Sequence, residues 1–275
     1  MAFPQTSGCY ARGALSDATI SVLTPTRGRE PFLPLLVDCF RSQTAAPLEL
    51  LVLDDSPEPS RFLAAEAERD PRIVYRHASV PSTTGEKRQA LMEAARGDVL
   101  AYFDDDDWYA PGYLAFMLAA LGGDDLVKLS AWYNYSLHDG HVYYWDTRAV
   151  LPVHYRLPPR PPGLLVDGRS LARENQDGFV WGYGFSYVFR REMVKLGVEA
   201  IGHGEDYAFL RRGVAAGHKT RLVADELGLA FHLLHAHNTS KVFPQYVLPP
   251  FLALRTFGDA LERYRSAGLG GGSGP

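Results

Sequence analysis

Short apolar runs and amphipathic stretches alternate through the first half of the chain. Thr19-Ile20-Ser21-Val22-Leu23-Thr24 is β-branched and halted by Pro25, the mark of a buried strand. A helix follows, with Pro31 in its first turn and Phe32, Leu35, Leu36, Cys39 and Phe40 on one face. Leu48 to Leu53 is a second strand, running into Asp54-Asp55-Ser56, and a short helix covers Pro59 to Glu68. Ile73-Val74-Tyr75 is a third strand. Thr83 to Arg96 is a helix opened by a capping box, Thr83-x-x-Glu86. Val99 to Phe103 is a fourth strand, leading into Asp104-Asp105-Asp106-Asp107, and Pro111 opens the next helix. This alternation predicts an α/β fold: a Rossmann-like, mostly parallel sheet with helices on both faces. Such sheets bind ligands beyond the carboxyl ends of their strands, where both acidic clusters fall.

The second half has a different pattern. Lys128 to Ser136 and His141 to Thr147 read as a small antiparallel hairpin turning at Asp139-Gly140. Its aromatics, among them Trp132, Tyr133, Tyr144 and Trp145, suit a binding face or an interface. Leu151 to Arg173 is Pro-rich and reads as an irregular loop of the kind that closes over a ligand. Glu205 to Ala216 is a helix, Thr220 to Val223 and Leu229 to Leu234 are strands, and Phe251 to Arg265 is a single final helix. A Gly-rich tail begins at Gly268.

Composition narrows the function classes. With 275 residues the chain can bury a substantial core, and its 46% apolar and 22% charged residues exclude disorder and coiled coil. The net charge of −4 gives no basis for binding nucleic acid. No apolar run is long enough to span a bilayer, and the first residues carry no signal pattern, so the expected compartment is the cytoplasm. Two cysteines, Cys9 and Cys39, make no disulfide framework, and Cys39 belongs to a core face. Walker A, dinucleotide-fingerprint, zincin and nucleophile-elbow motifs are all absent.

Four consecutive carboxylates repel one another unless a cation neutralises them, and a helix cap needs only one. Hard divalent cations take carboxylate oxygens together with substrate phosphates, so Asp104 to Asp107 point to Mg²⁺ or Mn²⁺. Asp54-Asp55 fits either a base or sugar contact or an Asx turn. Lys87 and Arg88 oppose the dipole of the helix they open, which favours an anion there, although surface cations are common. Gly85 beside them permits close backbone approach. Glu205-Asp206 serves either the helix dipole or general-base chemistry. His232, His235 and His237 cluster near a strand end and suit completion of a metal site.

The order of these motifs is informative. Ile20 to Arg27, Val52 to Ser56, Gly85 to Arg88, Gly97 to Asp107 with Pro111, and Gly204-Glu205-Asp206 before Phe209-Leu210-Arg211-Arg212 together resemble the family 2 glycosyltransferases of GT-A fold. The resemblance spans roughly residues 18 to 240. It implies inverting transfer of one sugar from a nucleoside diphosphate sugar, usually a UDP-sugar, with a divalent metal. By position it places Thr24, Pro25, Thr26 and Arg27 in the nucleotide pocket, with Asp54 on the base and Asp55 beside it. It puts Lys87 and Arg88 near the diphosphate. The family's D-x-D maps onto Asp104 and Asp106, with Asp105 between them. Asp106 is the foremost metal ligand and Asp104 lies near ribose or metal. Asp206 matches the general base, with Glu205 beside it. A late histidine joins the metal in some relatives; His237 fits best and His235 second. Trp181, Tyr183 and Phe185 form an aromatic run suited to stacking on an acceptor, or to ordinary core.

Gln89 departs from the Asn many relatives carry, and the processive synthases' Q-x-x-R-W and membrane spans are missing, which argues for single-sugar transfer. The expected organisation is an extension at 1–17, a nucleotide-sugar half at 18–125, an acceptor and catalytic half at 126–245, a C-terminal helix at 246–267 and a tail at 268–275. The partners are a nucleotide sugar and an acceptor whose class the sequence leaves open. A nucleotidyltransferase and a non-catalytic sugar-nucleotide binder are the competing readings. Arg27-Gly28-Arg29 is a poor phosphate loop for the first, and a binder needs no base such as Asp206.

Overall fold

The computed structural model describes residues 18–270. The extension at 1–17, which holds Cys9, and the tail from 271 lie outside the described residues. In chain order the elements are β1 (Ile20–Thr26), α1 (Leu33–Ser42), β2 (Glu49–Asp54), α2 (Arg61–Arg69), β3 (Ile73–His77), α3 (Thr84–Ala94), β4 (Val99–Tyr102), β5 (Trp108–Tyr109) and α4 (Tyr113–Leu121). The second half adds β6 (Leu126–Ser136), β7 (Val142–Asp146), β8 (Val153–Arg156), β9 (Leu164–Asp167), α5 (Gly168–Trp181), β10 (Val188–Arg190) and α6 (Glu205–Ala215). It closes with β11 (Thr220–Ala224), β12 (Ala230–Leu234), β13 (Tyr246–Val247), α7 (Pro250–Phe257) and α8 (Asp259–Gly270).

The main sheet runs β13-β7-β6-β10-β4-β1-β2-β3, with β11 and β12 also pairing β6 and β5 lying on β12. The strands of the first half are parallel: β1 pairs β2 on one side and β4 on the other, and β2 pairs β3. Their strict alternation buries both faces. Val22, Leu50, Val52 and Ala101 join the core under α1 and α4, whereas Leu23, Leu51, Leu100 and Tyr102 join the one under α3 and α6. The chain leaves β1 toward β2 and β3, then returns to β4 on the opposite side. That reversal opens a crevice beyond the carboxyl ends of β1 and β4. Cys39 is buried, with Sγ 3.5 Å from the Tyr264 hydroxyl.

The capping box of α3 is formed: Thr83 Oγ1 accepts from the Glu86 amide (3.2 Å), and Glu86 Oε2 accepts from the Thr83 amide (2.7 Å). Gly85 lies against residues 199–201, and its amide donates to the Ile201 carbonyl (3.0 Å). A Cβ at Gly85 would fall 1.7 Å from the Glu199 carbonyl oxygen, so backbone must move to admit it. Gly85→Ala is expected to cost about 2 kcal/mol and to lower Tm by about 5 °C in thermal unfolding. An unchanged Tm would show that 199–201 does not pack on α3.

Three expectations are corrected. The Pro-rich stretch from 151 to 173 is not irregular: β8 and β9 pair antiparallel, and α5 begins at Gly168. The prolines at 158–162 occupy the connection between the strands, where no ladder N–H is required. The final helix is two, broken at Gly258 with φ +51. Of the hairpin aromatics only Tyr133 and Tyr144 stay half-buried, and the rest are core rather than a free face. Trp132 and Trp145 are within 1% of complete burial, with ring centroids 5.1 Å apart, and Tyr135 and Tyr143 are also buried. No helix among the described residues is long and apolar enough to cross a membrane.

Candidate active site

A cavity of about 860 Å³ opens beyond the carboxyl ends of β1 and β4. One wall comes from the end of β1, where Pro25, Thr26 and Arg27 line it. Thr24 stands behind that wall, fully buried, and its hydroxyl donates to the Phe103 carbonyl (2.9 Å), tying β1 to the aspartate loop. Lys87 reaches across from α3 and donates to the Thr26 carbonyl (2.9 Å) and to Asp55 (2.6 Å). Asp55 also accepts from the Ser82 amide (2.8 Å) and faces Arg27. Burial alone would raise its carboxyl, but the Lys87 bond outweighs that and holds it low. Asp54 lies outside the cavity wall: Ser56 and the Tyr75 hydroxyl (2.8 Å) occupy its oxygens. Asp55 and Asp54 therefore shape the wall from behind.

The four aspartates part company. Asp104, Asp105 and Asp106 line the cavity, whereas Asp107 turns into the protein and meets His232 and the Leu233 amide. The Tyr109 hydroxyl pins the loop, accepting from the Asp104 amide (3.0 Å) and donating to the Phe185 carbonyl (2.9 Å). Asp106 Oδ2 faces His235 Nε2 at 2.8 Å and Arg29 at 3.4 Å. Burial would push the Asp106 carboxyl up, but the His235 hydrogen bond and the Arg29 charge hold it at about 2. Burial drives Asp104 and Asp105 the other way, upward, and the neighbouring Asp106 charge adds to it. The loop thus holds more negative charge than Arg29 and Arg88 neutralise, which suits a divalent cation. The imidazole beside Asp106 is His235; His237, the expected partner, lines the cavity without touching that carboxylate. Among the described residues no three such donors converge on one point. Asp106 and His235 form a facing pair at 2.8 Å, and a hard cation beside such a pair could take its remaining positions from substrate phosphates and water.

The opposite wall begins where α6 starts. Gly204 takes φ +82 and presents Glu205 and Asp206 at the helix's amino end. Arg88 donates to Glu205 (2.8 Å) and to Asp104 (3.3 Å), its guanidinium 4.5 Å from the Tyr102 ring centre. Asp206 is held by the Gly184 amide (2.5 Å) and by its neighbour Tyr207 (2.7 Å). A Cβ at Gly184 would lie 2.7 Å from both Arg88 and Asp206, so only glycine allows this approach. Tyr183, just before it, is the one non-glycine residue at positive φ (+63) among those described, and its hydroxyl donates to the Lys241 carbonyl (2.6 Å).

A fully buried lysine supports this segment. Lys128 Nζ donates to the carbonyls of Val180 (2.7 Å) and Gly182 (2.6 Å) at the carboxyl end of α5. Burial pushes its ammonium down to about 7. Tyr183 and Phe185 line the cavity, but Trp181 does not: it packs on the core beneath α3 and α6. Phe179 and Phe243 complete the aromatic wall. Neither carries a site signal in the sequence, and Arg29 figures there only in Arg27-Gly28-Arg29, a poor phosphate loop. Phe179 sits on α5, which has no apolar stripe, and Arg29 carries only the signal of lying near Arg27.

The chain matches the model of glycosyl transferase family 2 over residues 21–194. EpsH of Bacillus subtilis (strain 168), named as a glycosyltransferase, is 32% identical over 116 residues, 41% of this chain and 33% of its own. EpsJ of the same organism, an uncharacterized glycosyltransferase, is 23% identical over 181 residues, 63% of this chain and 48% of its own. This chain therefore spans about a third to a half of those relatives. Among solved structures, S. aureus TarS in complex with UDP superposes with a TM-score of 0.55 at 13% identity, covering 78% of this chain and 60% of that one. A Pyrobaculum calidifontis mannosyltransferase in complex with GDP-Man and Mn²⁺ gives 0.55 at 16%, covering 78% and 56%. These likenesses bear out the GT-A-type fold, and the family match extends over the greater part of the chain: it belongs to glycosyl transferase family 2.

Proposed function

We propose that this glycosyltransferase moves one sugar, with inversion, from a nucleoside diphosphate sugar to an acceptor hydroxyl, assisted by Mn²⁺ or Mg²⁺. The observation that carries the reading is the shape of the charge. One cavity sets Asp106, the cations Arg27, Arg29 and Arg88, and the helix-opening Asp206 around a single space, with His235 bonded to Asp106 from behind the wall. Asp106 and His235 would hold the metal, with Asp104 beside them. Bound there, a divalent cation supplies positive charge to the departing diphosphate. Arg27 lies at the nucleotide end with Thr26 and Pro25, and Lys87 fixes that wall. Asp206, oriented by the Gly184 amide, takes the proton of the acceptor hydroxyl as it attacks the anomeric carbon from the far face. Tyr183 and Phe185 shape the acceptor side and limit water there. The Asp–Asp–base set supports transfer rather than binding alone.

UDP is the favoured nucleotide, from the family resemblance; TarS, a structural neighbour, is solved with UDP. Thermal shift with UDP, GDP and dTDP, each with and without Mn²⁺, tests the donor site. One nucleotide is expected to raise Tm in a metal-dependent way. Asp106→Ala is expected to remove the metal-dependent part, weakening binding about 100-fold, near the upper end for loss of a metal-site residue. A shift that ignores both Mn²⁺ and the substitution would overturn the metal assignment.

A further inference from the structure

Strand β12 and its exit bring two histidines to the aspartate loop, and the proposed mechanism employs only His235. His232 is the other. It is 7% exposed, and its Nδ1 lies 2.9 and 3.0 Å from the two oxygens of Asp107. That carboxylate is itself 1% exposed and anchored by the Leu233 amide (2.9 Å). The ring is therefore fixed in place, with Nδ1–H donating to Asp107. Its other nitrogen, Nε2, is buried and has no hydrogen-bond partner among the described residues. Yet His232 lines the cavity. A buried polar atom left unpaired is unfavourable, and native structures rarely hold one without a purpose.

Its surroundings indicate what the atom meets. Arg27 and the Thr26 wall mark the nucleotide end, and Asp206 the far side. The His232 ring lies 5.5 Å from that of Phe185, the residue after the Gly184 amide that holds Asp206. His232 thus stands on the wall between the aspartates and the base, the stretch a transferred sugar must occupy. We propose that His232 Nε2 hydrogen-bonds an oxygen of the transferred sugar and selects donors by it. This rests on the donor reading above. A sugar hydroxyl both donates and accepts, so it pairs with Nε2 in either protonation state of the ring.

His232→Asn tests it, because the Asn amide keeps a donor for Asp107 while removing the atom at Nε2. Affinities for UDP, GDP and dTDP and for their glucose and N-acetylglucosamine conjugates are measured with Mn²⁺ by titration calorimetry. The variant is expected to bind the parent diphosphate within twofold of wild type and the sugar conjugate about 20-fold more weakly. A second measurement needs no variant: a deoxy series of the bound sugar, offered to the wild-type protein, is expected to lose about 20-fold at one position. Equal loss for the diphosphate and its conjugate would place the contact on the nucleotide or metal and overturn the proposal. No loss in the variant, or a flat deoxy series, would also overturn it. A wild-type protein that binds none of the diphosphates would instead overturn the donor reading, and this inference with it.

Discussion

Asp206→Asn is expected to lower turnover about 10³-fold while leaving donor affinity within about threefold. The substitution is nearly isosteric. The Asn carbonyl oxygen still accepts from the Gly184 amide, which now meets Asp206 Oδ2 at 2.5 Å, and only the local bond from the Tyr207 amide to the other oxygen is given up. What disappears is the ability to take a proton, which general-base catalysis requires. Donor binding depends on the opposite wall, around Asp106 and Arg27, and does not use this carboxylate. Release of nucleoside diphosphate from the donor, with water as acceptor, measures turnover without knowledge of the natural acceptor. Calorimetric titration with the donor measures affinity. Turnover within tenfold of wild type would remove Asp206 from the role of base and pass it to Glu205. A parallel loss of donor affinity would show instead that Asp206 binds substrate.

Arg88→Met is expected to be the most destabilising single change in the site. Arg88 is 4% exposed and bridges Glu205, at 2.8 Å, to Asp104, at 3.3 Å. Methionine fills much of the volume but leaves both carboxylates without their cation. Removing one partner of a buried ion pair costs about 3–5 kcal/mol, and for a chain of this size that lowers Tm by about 10 °C. Burial already raises the carboxyls of Glu205 and Asp104 despite the arginine. Without it they rise further above their unfolded values, so the folded state binds more protons than the unfolded one. Stability then falls as pH rises through that window, and the deficit of the variant shrinks as pH falls from 7 toward 5. Thermal unfolding of both proteins across that range checks the sign. A Tm equal to wild type at pH 7 would mean that solvent reaches Glu205 as it already reaches the part-exposed Asp104. Arg88→Lys is not expected to rescue, because a point charge cannot span two carboxylates as a guanidinium does.

Much of the site was legible because its parts are local. Thr83 and Glu86 announce their helix by a cap that closes within four residues. The acidic clusters follow apolar runs directly, so they had to fall at strand ends, and the parallel order of β1, β2 and β4 puts those ends together. Other parts left no local trace. The α5 helix has a charged surface and buries only Gly168, so no apolar stripe marks it. Trp132 and Trp145 look like a display of aromatics until β6 is seen to lie inside the sheet, with partners on every side.

By itself the sequence determined the alternating α/β frame, the starts of α3 and α6, and the run Asp104 to Asp107 at a strand end, while Asp206 joined that run only through the family resemblance. These depend on hydrophobic period, caps and strand-end position, which operate over a few residues. Only the tertiary structure decided which histidine meets Asp106, that Asp107 belongs to His232, that Asp54 is satisfied by Tyr75 behind the wall, and that Trp181 packs inward while Tyr183 faces the cavity. Each of those outcomes turns on contacts between segments from about 20 to more than 100 residues apart. They are set by how β12 lies beside β6 and how α5 docks, and no local pattern encodes either.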